Sequence, residues 1–267
     1  MQVRISHRTT YHYQEPVKYS AQTLRLTPRR EGEQHTLAWS IQAPGRRAEQ
    51  VDAHGNITHL LTLEEPHREI SIVVFGVVEI ARSSDVLRER GPLSPLAYLA
   101  PTTLTAASDR IVALARDHLD GDGPVRQRLY ALAKGVCAAV RYQPGTTTVE
   151  DPGAAALERG EGVCQDQAHV LIACCRSMGI PARYVSGYLC SGPTGATASH
   201  AWVEAWLSEE QGWHGIDVTH AQPAGVGHCR IAVGRDYLDA APVRGVRSGG
   251  GPEVMDVSVT ATTISAQ

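Results

Sequence analysis

The chain has 267 residues, of which 42% are hydrophobic and 20% are charged, and its formal net charge at pH 7 is -3. This composition is ordinary for a globular protein of one large domain or two small ones. The 25 Lys and Arg residues are dispersed among 28 acidic residues, without a basic stripe that would bind phosphates, so we expect no nucleic-acid partner. No apolar run approaches the roughly 18 residues of a membrane span, and the first residues lack a signal-peptide pattern. We therefore expect a cytoplasmic protein with no membrane contact.

The cysteines are expected to be free thiols, because the chain is large and shows no secretory signal. Their spacing, and that of the histidines, matches no zinc-ligand pattern. No loop has the acidic spacing of an EF-hand. We therefore predict no metal and no cofactor. The six cysteines are Cys137, Cys164, Cys174, Cys175, Cys190 and Cys229.

The first 82 residues have the alternating apolar pattern of short strands. Val3 and Ile5 show this period of two, and so do Ile70 and Ile72. Turn signals separate the apolar runs at intervals that suit an antiparallel sandwich. We predict an all-β, sandwich-like N-terminal domain over residues 1–82.

Residues 83–103 contain three prolines and no clear period, which is typical of a linker. Beyond them the apolar period becomes helical, for example at Ile111, Leu114 and Ala115. Later segments return to strand-like alternation. The pattern predicts an α+β core over residues 104–267, with helices first and strands afterwards.

Within this core, Cys164 is predicted to lie at a helix N-terminus. Apolar residues recur at positions 168, 171, 172, 175 and 178, which is the spacing of a buried helical face. Gly179 can adopt the left-handed conformation that ends a helix, and Pro181 prevents continuation. At a helix N-terminus, unpaired N–H groups and the positive end of the helix dipole favour a thiolate, the form of cysteine that attacks carbonyl carbons. The two glycines before Cys164 would let a substrate carbonyl approach the main chain.

A cysteine nucleophile needs a base, and the base needs a third group to orient it. Strand alternation places His200 and Trp202 on one face, and Asp217 lies on the next predicted strand. If the hairpin turns at residues 209–210, residue 202 lies opposite 217, which makes Asp217 the diagonal neighbour of His200. We therefore predict that Cys164, His200 and Asp217 form a catalytic triad.

The residues around these side chains form four motifs: GVCQD at 162–166, GIPARYVSGY at 179–188, HAWVE at 200–204 and GWHGIDVT at 212–219. By these motifs the chain resembles the bacterial transglutaminase-like proteins of the papain-like thiol superfamily. The segment LRLTP at 24–28 is similar to the small β domain that precedes the core in many members. The resemblance implies a Cys helix packed on an antiparallel sheet, with Cys164 as nucleophile, His200 as base and Asp217 as orienting group. Val218 and His220 depart from the family pattern, which commonly has Pro and Asn there.

The chemistry implied is acyl transfer from an amide of a peptide or protein substrate. Cys164 would attack the carbonyl, backbone N–H groups at the helix start would hold the oxyanion, and a thioester would result. Water would then give hydrolysis, as in a protease or amidase, which we expect over transfer to an amine. Tyr142 or Gln143 is a possible second oxyanion donor. The alternative from another class is a noncatalytic peptide-binding or scaffold module on the same fold.

Overall fold

A computed structural model describes residues 1–30, 34–81, 86–89, 91–190, 198–225 and 227–264 of the chain. The predicted boundary between residues 82 and 83 lies outside these ranges. The strands are β1 (Gln2–Leu24), β2 (Gln34–Gln42), β3 (Arg46–Val51), β4 (Ile57–Leu63), β5 (His67–Ile80), β6 (Val86–Leu87), β7 (Arg141–Tyr142), β8 (Glu161–Gly162), β9 (Ala182–Leu189), β10 (Ala198–Ser208), β11 (Gly212–Asp217), β12 (Gln222–Pro223), β13 (His228–Gly234), β14 (Val243–Gly249) and β15 (Glu253–Ile264). The α-helices are α1 (Asp109–Leu119), α2 (Val125–Ala139), α3 (Gly153–Arg159), α4 (Cys164–Ser177) and α5 (Tyr237–Ala240), and two 3-10 helices span Pro95–Leu99 and Thr103–Thr105.

The first sheet is organised around β1, a strand of 23 residues. Its first half pairs with β5 on one side and with β15 on the other, while its second half pairs with β4 and β14. The register of β1 with β5 shifts between His12 and Val17, where the strand changes neighbours. Side chains from both halves meet in one apolar core, which includes Leu24, Leu61 and Ile72. The prediction of an N-terminal sheet domain is confirmed.

Two strands from the end of the chain complete this first sheet. The strands β14 and β15 pair antiparallel with β1 along almost its whole length. They belong to the segment 104–267, which we predicted from its sequence to be the core. The alternation of residues 255–264 predicted a strand there, but alternation gives no information about which strand is the neighbour. The two predicted domains therefore share one sheet.

The second sheet has the strand order β12-β11-β10-β9-β13, and β6 adds to it beside β11. All of these pairings are antiparallel. Helix α4 packs against β9 and β10, and α1, α2 and α3 pack around α4. Their common apolar core includes Leu129, Leu171 and Val203, each fully buried. The core is thus a mixed arrangement of helices and sheet, as predicted.

The helix boundaries follow from local chemistry. The Ser108 hydroxyl accepts a hydrogen bond from the Ile111 N–H and caps α1. Pro124 directly precedes α2, where a missing N–H costs nothing. Gly179 has a φ of 72° after the end of α4, which is the left-handed conformation predicted for it. None of the described helices is both long and apolar enough to cross a membrane.

The first sheet packs against β9 and β13 of the second sheet. The side chains of Asn56 and Gln34 extend this contact along the outer edge of β13. Asn56 Nδ2 donates to the Val233 carbonyl at 2.7 Å, and the Val233 N–H donates to Asn56 Oδ1 at 2.8 Å. These bonds satisfy main-chain groups that an edge strand would otherwise leave unpaired. The apolar side chains buried at the contact are Val3, Ile5, Val78, Ile80, Tyr188, Cys229, Ile231 and Ala261.

Candidate active site

Cys164 is the first residue of α4, and its side chain is partly buried. The carboxylate of Asp166, one turn into the helix, holds the preceding loop. Its Oδ2 accepts hydrogen bonds from the Val163 N–H and from the Thr147 hydroxyl, each at 2.7 Å. A Cβ on Gly162 would lie 2.7 Å from the same oxygen, so glycine at this position makes room for the carboxylate. The sequence led us to expect that Gly162 lets a substrate carbonyl approach the main chain, whereas in the structure it makes space for the Asp166 carboxylate.

His200 and Asp217 lie on neighbouring strands of the second sheet, β10 and β11. The pairs Val203 with Ile216 and Trp206 with Trp213 give the register of this hairpin. Extended by one residue, the first pair sets residue 202 opposite residue 217, which confirms the predicted register. The pairing becomes irregular between Trp206 and Ser208, beside the turn. Asp217 is therefore the diagonal neighbour of His200 on the same face.

The His200 imidazole contacts both other predicted triad residues. Its Nε2 lies 3.0 Å from Oδ1 of Asp217, and the side chains are 8% and 0% exposed. Burial lowers the pKa of His200, but the interactions with Asp217 and Cys164 raise it more, to about 9. Since Nε2 faces Asp217, Nδ1 is the ring nitrogen available to the Cys164 thiol. The structure thus brings the three predicted residues together.

Two further histidines, which the sequence analysis did not select, contact Asp217. His228 Nε2 lies 3.0 Å from Oδ2, and His220 Nδ1 lies 2.8 Å from the same oxygen. Burial raises the pKa of Asp217, but the hydrogen bonds from His200 and His228 lower it more, well below its usual range. No motif pointed to His228, because its position depends on the pairing of β13 with β9. His220 could have been suspected from its place three residues after Asp217.

The donor atoms of His200, Asp217 and His228 all lie within 4.8 Å of one another, close enough for one metal ion to bind all three. Imidazole nitrogens and a carboxylate oxygen are the donors that zinc accepts. Each of these residues already takes part in the contacts around Asp217. We assign them to that network, and the prediction for this chain remains that it uses no metal.

A cavity of about 240 Å³ opens beside Cys164 and His200. Its walls come from both parts of the molecule. The second sheet supplies Tyr184 and Tyr188, while β1 supplies His7, and Arg25 and Leu26 come from the segment at its end. His7 Nδ1 lies 2.8 Å from the Tyr188 hydroxyl, so the two sheets are joined at the cavity wall. Burial lowers the pKa of His7 to about 4, which makes this histidine neutral at pH 7.

Two models of known families match the chain. The bacterial transglutaminase-like N-terminal region matches residues 3–79, and the transglutaminase-like superfamily matches residues 112–218. The second match spans Cys164, His200 and Asp217. The chain belongs to the bacterial transglutaminase-like family. The resemblance inferred from the four motifs is therefore confirmed.

Relatives of this transglutaminase-like chain match it over nearly its whole length. An uncharacterized protein of Mycobacterium leprae is 34% identical, covering 98% of this chain and 99% of the relative. An uncharacterized protein of Mycobacterium tuberculosis is 32% identical, covering 96% of this chain and 91% of the relative. Among solved structures, a Cytophaga hutchinsonii protein provisionally named a cysteine protease superposes with a TM-score of 0.81 at 24% identity. The match covers 100% of this chain and 92% of that one. At this identity the match establishes the shared fold.

Of the two residues considered as oxyanion donors, Gln143 has its N–H engaged. It donates to the Gly162 carbonyl at 2.7 Å, within the β7 and β8 pairing. The pKa of Tyr142 is raised, first by burial and then by its electrostatic interaction with Cys164. Of the two residues, Tyr142 thus remains the one to which the prediction of a second oxyanion donor applies.

Other side chains near the site have structural roles in this transglutaminase-like core. His169 is fully buried in α4, its Nε2 accepts a hydrogen bond from the Tyr237 N–H at 3.1 Å, and burial lowers its pKa to about 3. Trp202 is completely buried and packs with Val185, Ala224 and Val233. The buried thiols Cys174, Cys175 and Cys229 all have pKa values raised by burial, as expected of inert small side chains.

Proposed function

We propose that this protein is a cysteine-dependent hydrolase that cleaves amide bonds of peptides or proteins through a thioester. The observation that carries the proposal is the contact chain from Cys164 through His200 to Asp217, at the wall of one cavity. A nucleophile at a helix start, a base beside it and a buried carboxylate behind the base are the three parts that thiol acyl transfer requires.

In the proposed reaction, the Cys164 thiolate attacks the amide carbon and the carbonyl electrons move to its oxygen. Protonated His200 then donates its Nδ1 proton to the leaving nitrogen as the C–N bond breaks, which leaves a thioester and neutral imidazole. Neutral His200 next accepts a proton from water, which attacks the thioester and releases a carboxylic acid. Asp217 keeps the imidazole oriented and stabilises its protonated form, because the carboxylate remains ionised and lies 3.0 Å from Nε2. A primary amine in place of water would give transamidation.

Protonation of His200 suits the first half of this cycle. A pKa raised to about 9 keeps the imidazole charged at neutral pH, so His200 can stabilise negative charge on the Cys164 sulfur and donate a proton to the leaving nitrogen. The other thiols provide an internal reference. Burial raises the pKa of Cys190 to about 11, for example, so that thiol stays protonated at neutral pH.

The test is the rate of alkylation by iodoacetamide between pH 5 and pH 10, followed for each cysteine by peptide mass mapping. We expect Cys164 to react far below pH 8 and much faster than Cys137, which is also partly buried and serves as the matched thiol. In His200→Ala this advantage should disappear. A Cys164 that reacts slowly, with a rate insensitive to His200, would exclude the activated thiolate and favour a noncatalytic peptide-binding module.

A second step identifies the reaction itself. Incubation with a mixture of peptides, followed by acid quenching and intact-mass measurement, should reveal an acyl adduct on Cys164. Added hydroxylamine or a primary amine separates the two fates of the thioester, since capture by the amine at millimolar concentration would indicate transamidation. Release of free carboxylic acid in its presence would indicate hydrolysis.

A further inference from the structure

The cavity beside Cys164 contains a cation that the proposed reaction does not use. Arg25 belongs to the LRLTP segment and lines the same cavity as Cys164 and His200. It extends from the N-terminal part of the chain, and its main-chain N–H donates to the Pro242 carbonyl, another residue of the cavity wall. Its side chain is 14% exposed.

Only part of the Arg25 guanidinium is paired. Its Nε donates to Oδ2 of Asp52 at 3.1 Å. That carboxylate also accepts the main-chain N–H groups of His54 and Asn56 and the Asn56 side-chain amide, so four donors share its charge. Arg25 Nη1 is buried and has no hydrogen-bond partner among the described residues. A buried donor without a hydrogen-bond partner is unfavourable, and an oxygen of a bound ligand would supply that partner.

Outside the proposed catalytic set, the rest of the cavity wall carries no charge that would oppose an anion. No Asp or Glu is among the lining residues in the part of the chain that the structure describes. His7 is neutral at pH 7, because both ring nitrogens are engaged, by Tyr188 and Thr9, and burial lowers its pKa. Apart from His200 of the proposed catalytic set, Arg25 is therefore the cation among the described lining residues, and the remaining wall is largely aromatic and aliphatic. In such a setting an arginine fork binds a carboxylate more strongly than a neutral amide.

We propose that Arg25 binds a carboxylate of the substrate next to the amide that Cys164 attacks. The inference rests on the proposed function. It makes the N-terminal sheet part of the substrate site and narrows the substrate class to peptides with a carboxylate near the reacting amide. That carboxylate can belong to an acidic side chain or to the free C-terminus of the peptide, and the experiment distinguishes the two.

The experiment uses three alkylating probes of nearly equal size. They are iodoacetyl-glutamine amide, which is neutral, iodoacetyl-glutamine with a free C-terminus, and iodoacetyl-glutamate amide, which carries the carboxylate on its side chain. The second-order rate of Cys164 alkylation is measured for each probe by peptide mass mapping. We expect at least one acidic probe to react about tenfold faster than the neutral one, the equivalent of one charge-assisted hydrogen bond. The faster acid identifies the source of the carboxylate.

The variants decide whether Arg25 is responsible. Arg25→Gln should abolish the preference for the acidic probe, and Arg25→Lys, which keeps the charge without the fork, should retain part of it. Arg116→Gln removes the same charge from an exposed position on α1 and should leave the preference unchanged. Thermal unfolding of each variant confirms that it is folded. If Arg25→Gln does not fold, Arg25→Lys and the loss of the wild-type preference in high salt provide the comparison.

The outcomes separate this inference from the proposed function. Equal rates for all three probes in the wild type, or a preference that persists in Arg25→Gln, would overturn the role of Arg25. The ratio between the alkylation rates of the acidic and the neutral probes does not depend on the intrinsic reactivity of the Cys164 thiol. A uniformly slow Cys164 would therefore count against the proposed function, while the ratio would still decide the inference.

Discussion

The two sheets of this molecule differ in what covers their faces. In the first sheet β1 alternates between buried and exposed residues, and β3 is exposed throughout. In the second sheet every residue of β11 and β13 is buried, because helices cover one face and the first sheet and the linker cover the other. Charged side chains in the first sheet can face water, whereas those in the second sheet must find partners inside the protein. The candidate active site lies where burial forces polar groups into contact.

Among the residues that the structure describes, two groups of buried charges lie in the second sheet. One is the cluster around Asp217. The other joins Arg183 and Arg230 to Glu204 and to Glu89, the last of which lies in the predicted linker. Two cations and two anions balance within this second group, and Arg183 also stacks 4.0 Å over the ring of Trp213. This group fastens the linker to the core, while the Asp217 cluster orients the base.

The largest effect is expected from removing the cover that the first sheet provides. Deleting residues 1–82 takes away β1, the partner of β14 and β15, and uncovers apolar residues such as Tyr188 and Ile231. We expect residues 83–267 alone to be insoluble, measured as the soluble fraction after expression. Co-expressing residues 1–82 as a separate chain should restore part of it. A soluble fragment with native near-UV circular dichroism would show that the second sheet is stable with one face open.

The next largest effect concerns the buried ion pairs. Glu204→Gln leaves Arg183 and Arg230 facing each other with one carboxylate fewer, and it should lower the free energy of unfolding by about 3–5 kcal/mol. The matched variant in the first sheet is Glu253→Gln, which breaks the exposed pair with Arg247 and should cost less than about 1 kcal/mol. Urea denaturation measures both. Equal losses would mean that the covering of the second sheet does not govern the strength of its ion pairs.

The pH dependence of stability tests the buried imidazole. The folded-state pKa of His200, about 9, lies above its unfolded value of 6.5. Its stabilising contribution is therefore fully present below pH 6.5 and is lost as the pH rises through about 9. The shift corresponds to roughly 3 kcal/mol, since one pKa unit is worth about 1.4 kcal/mol. Urea unfolding of the wild type at pH 6 and pH 9.5, with His200→Gln as reference, measures the difference, and parallel losses in both proteins would contradict the assignment.

The smallest effect compares two histidines that contact one oxygen of Asp217. His228 has a side chain that is 2% exposed, whereas that of His220 is 47% exposed. His228→Leu should slow Cys164 alkylation at pH 7 by about fivefold, the equivalent of roughly one buried hydrogen bond. His220→Leu should change it less, because water can replace an exposed donor. His228→Gln keeps an N–H in a similar place and should recover most of the alkylation rate. If His228→Leu and His220→Leu changed the rate of Cys164 alkylation equally, a positioning role for His228 would be excluded.

The sequence predicted the local structure of the site well because the signals are short in range. The apolar spacing and Gly179 place the start and the end of α4, and strand alternation with a turn at 209–210 gave the register that brings Asp217 to His200. Helix α3 and the strand β13 were not predicted. Helix α3 has 7 residues, too few to show an apolar period, although Gly160 ends it in the left-handed conformation. Every residue of β13 is buried, so its sequence does not alternate, and its pairing with β9 determines its conformation.

By itself, then, the sequence determined the family and the three candidate site residues Cys164, His200 and Asp217. It also determined the helix and strands that carry these residues, because the motifs and apolar spacings involved extend over only a few tens of residues. The tertiary structure alone decided that β14 and β15 join β1, that His228 contacts Asp217 and that Arg25 lines the cavity of Cys164. Each of these contacts joins residues at positions that only the packed sheets bring together. Their side chains give no sign of their partners along the chain, because burial and pairing are properties of the assembled fold.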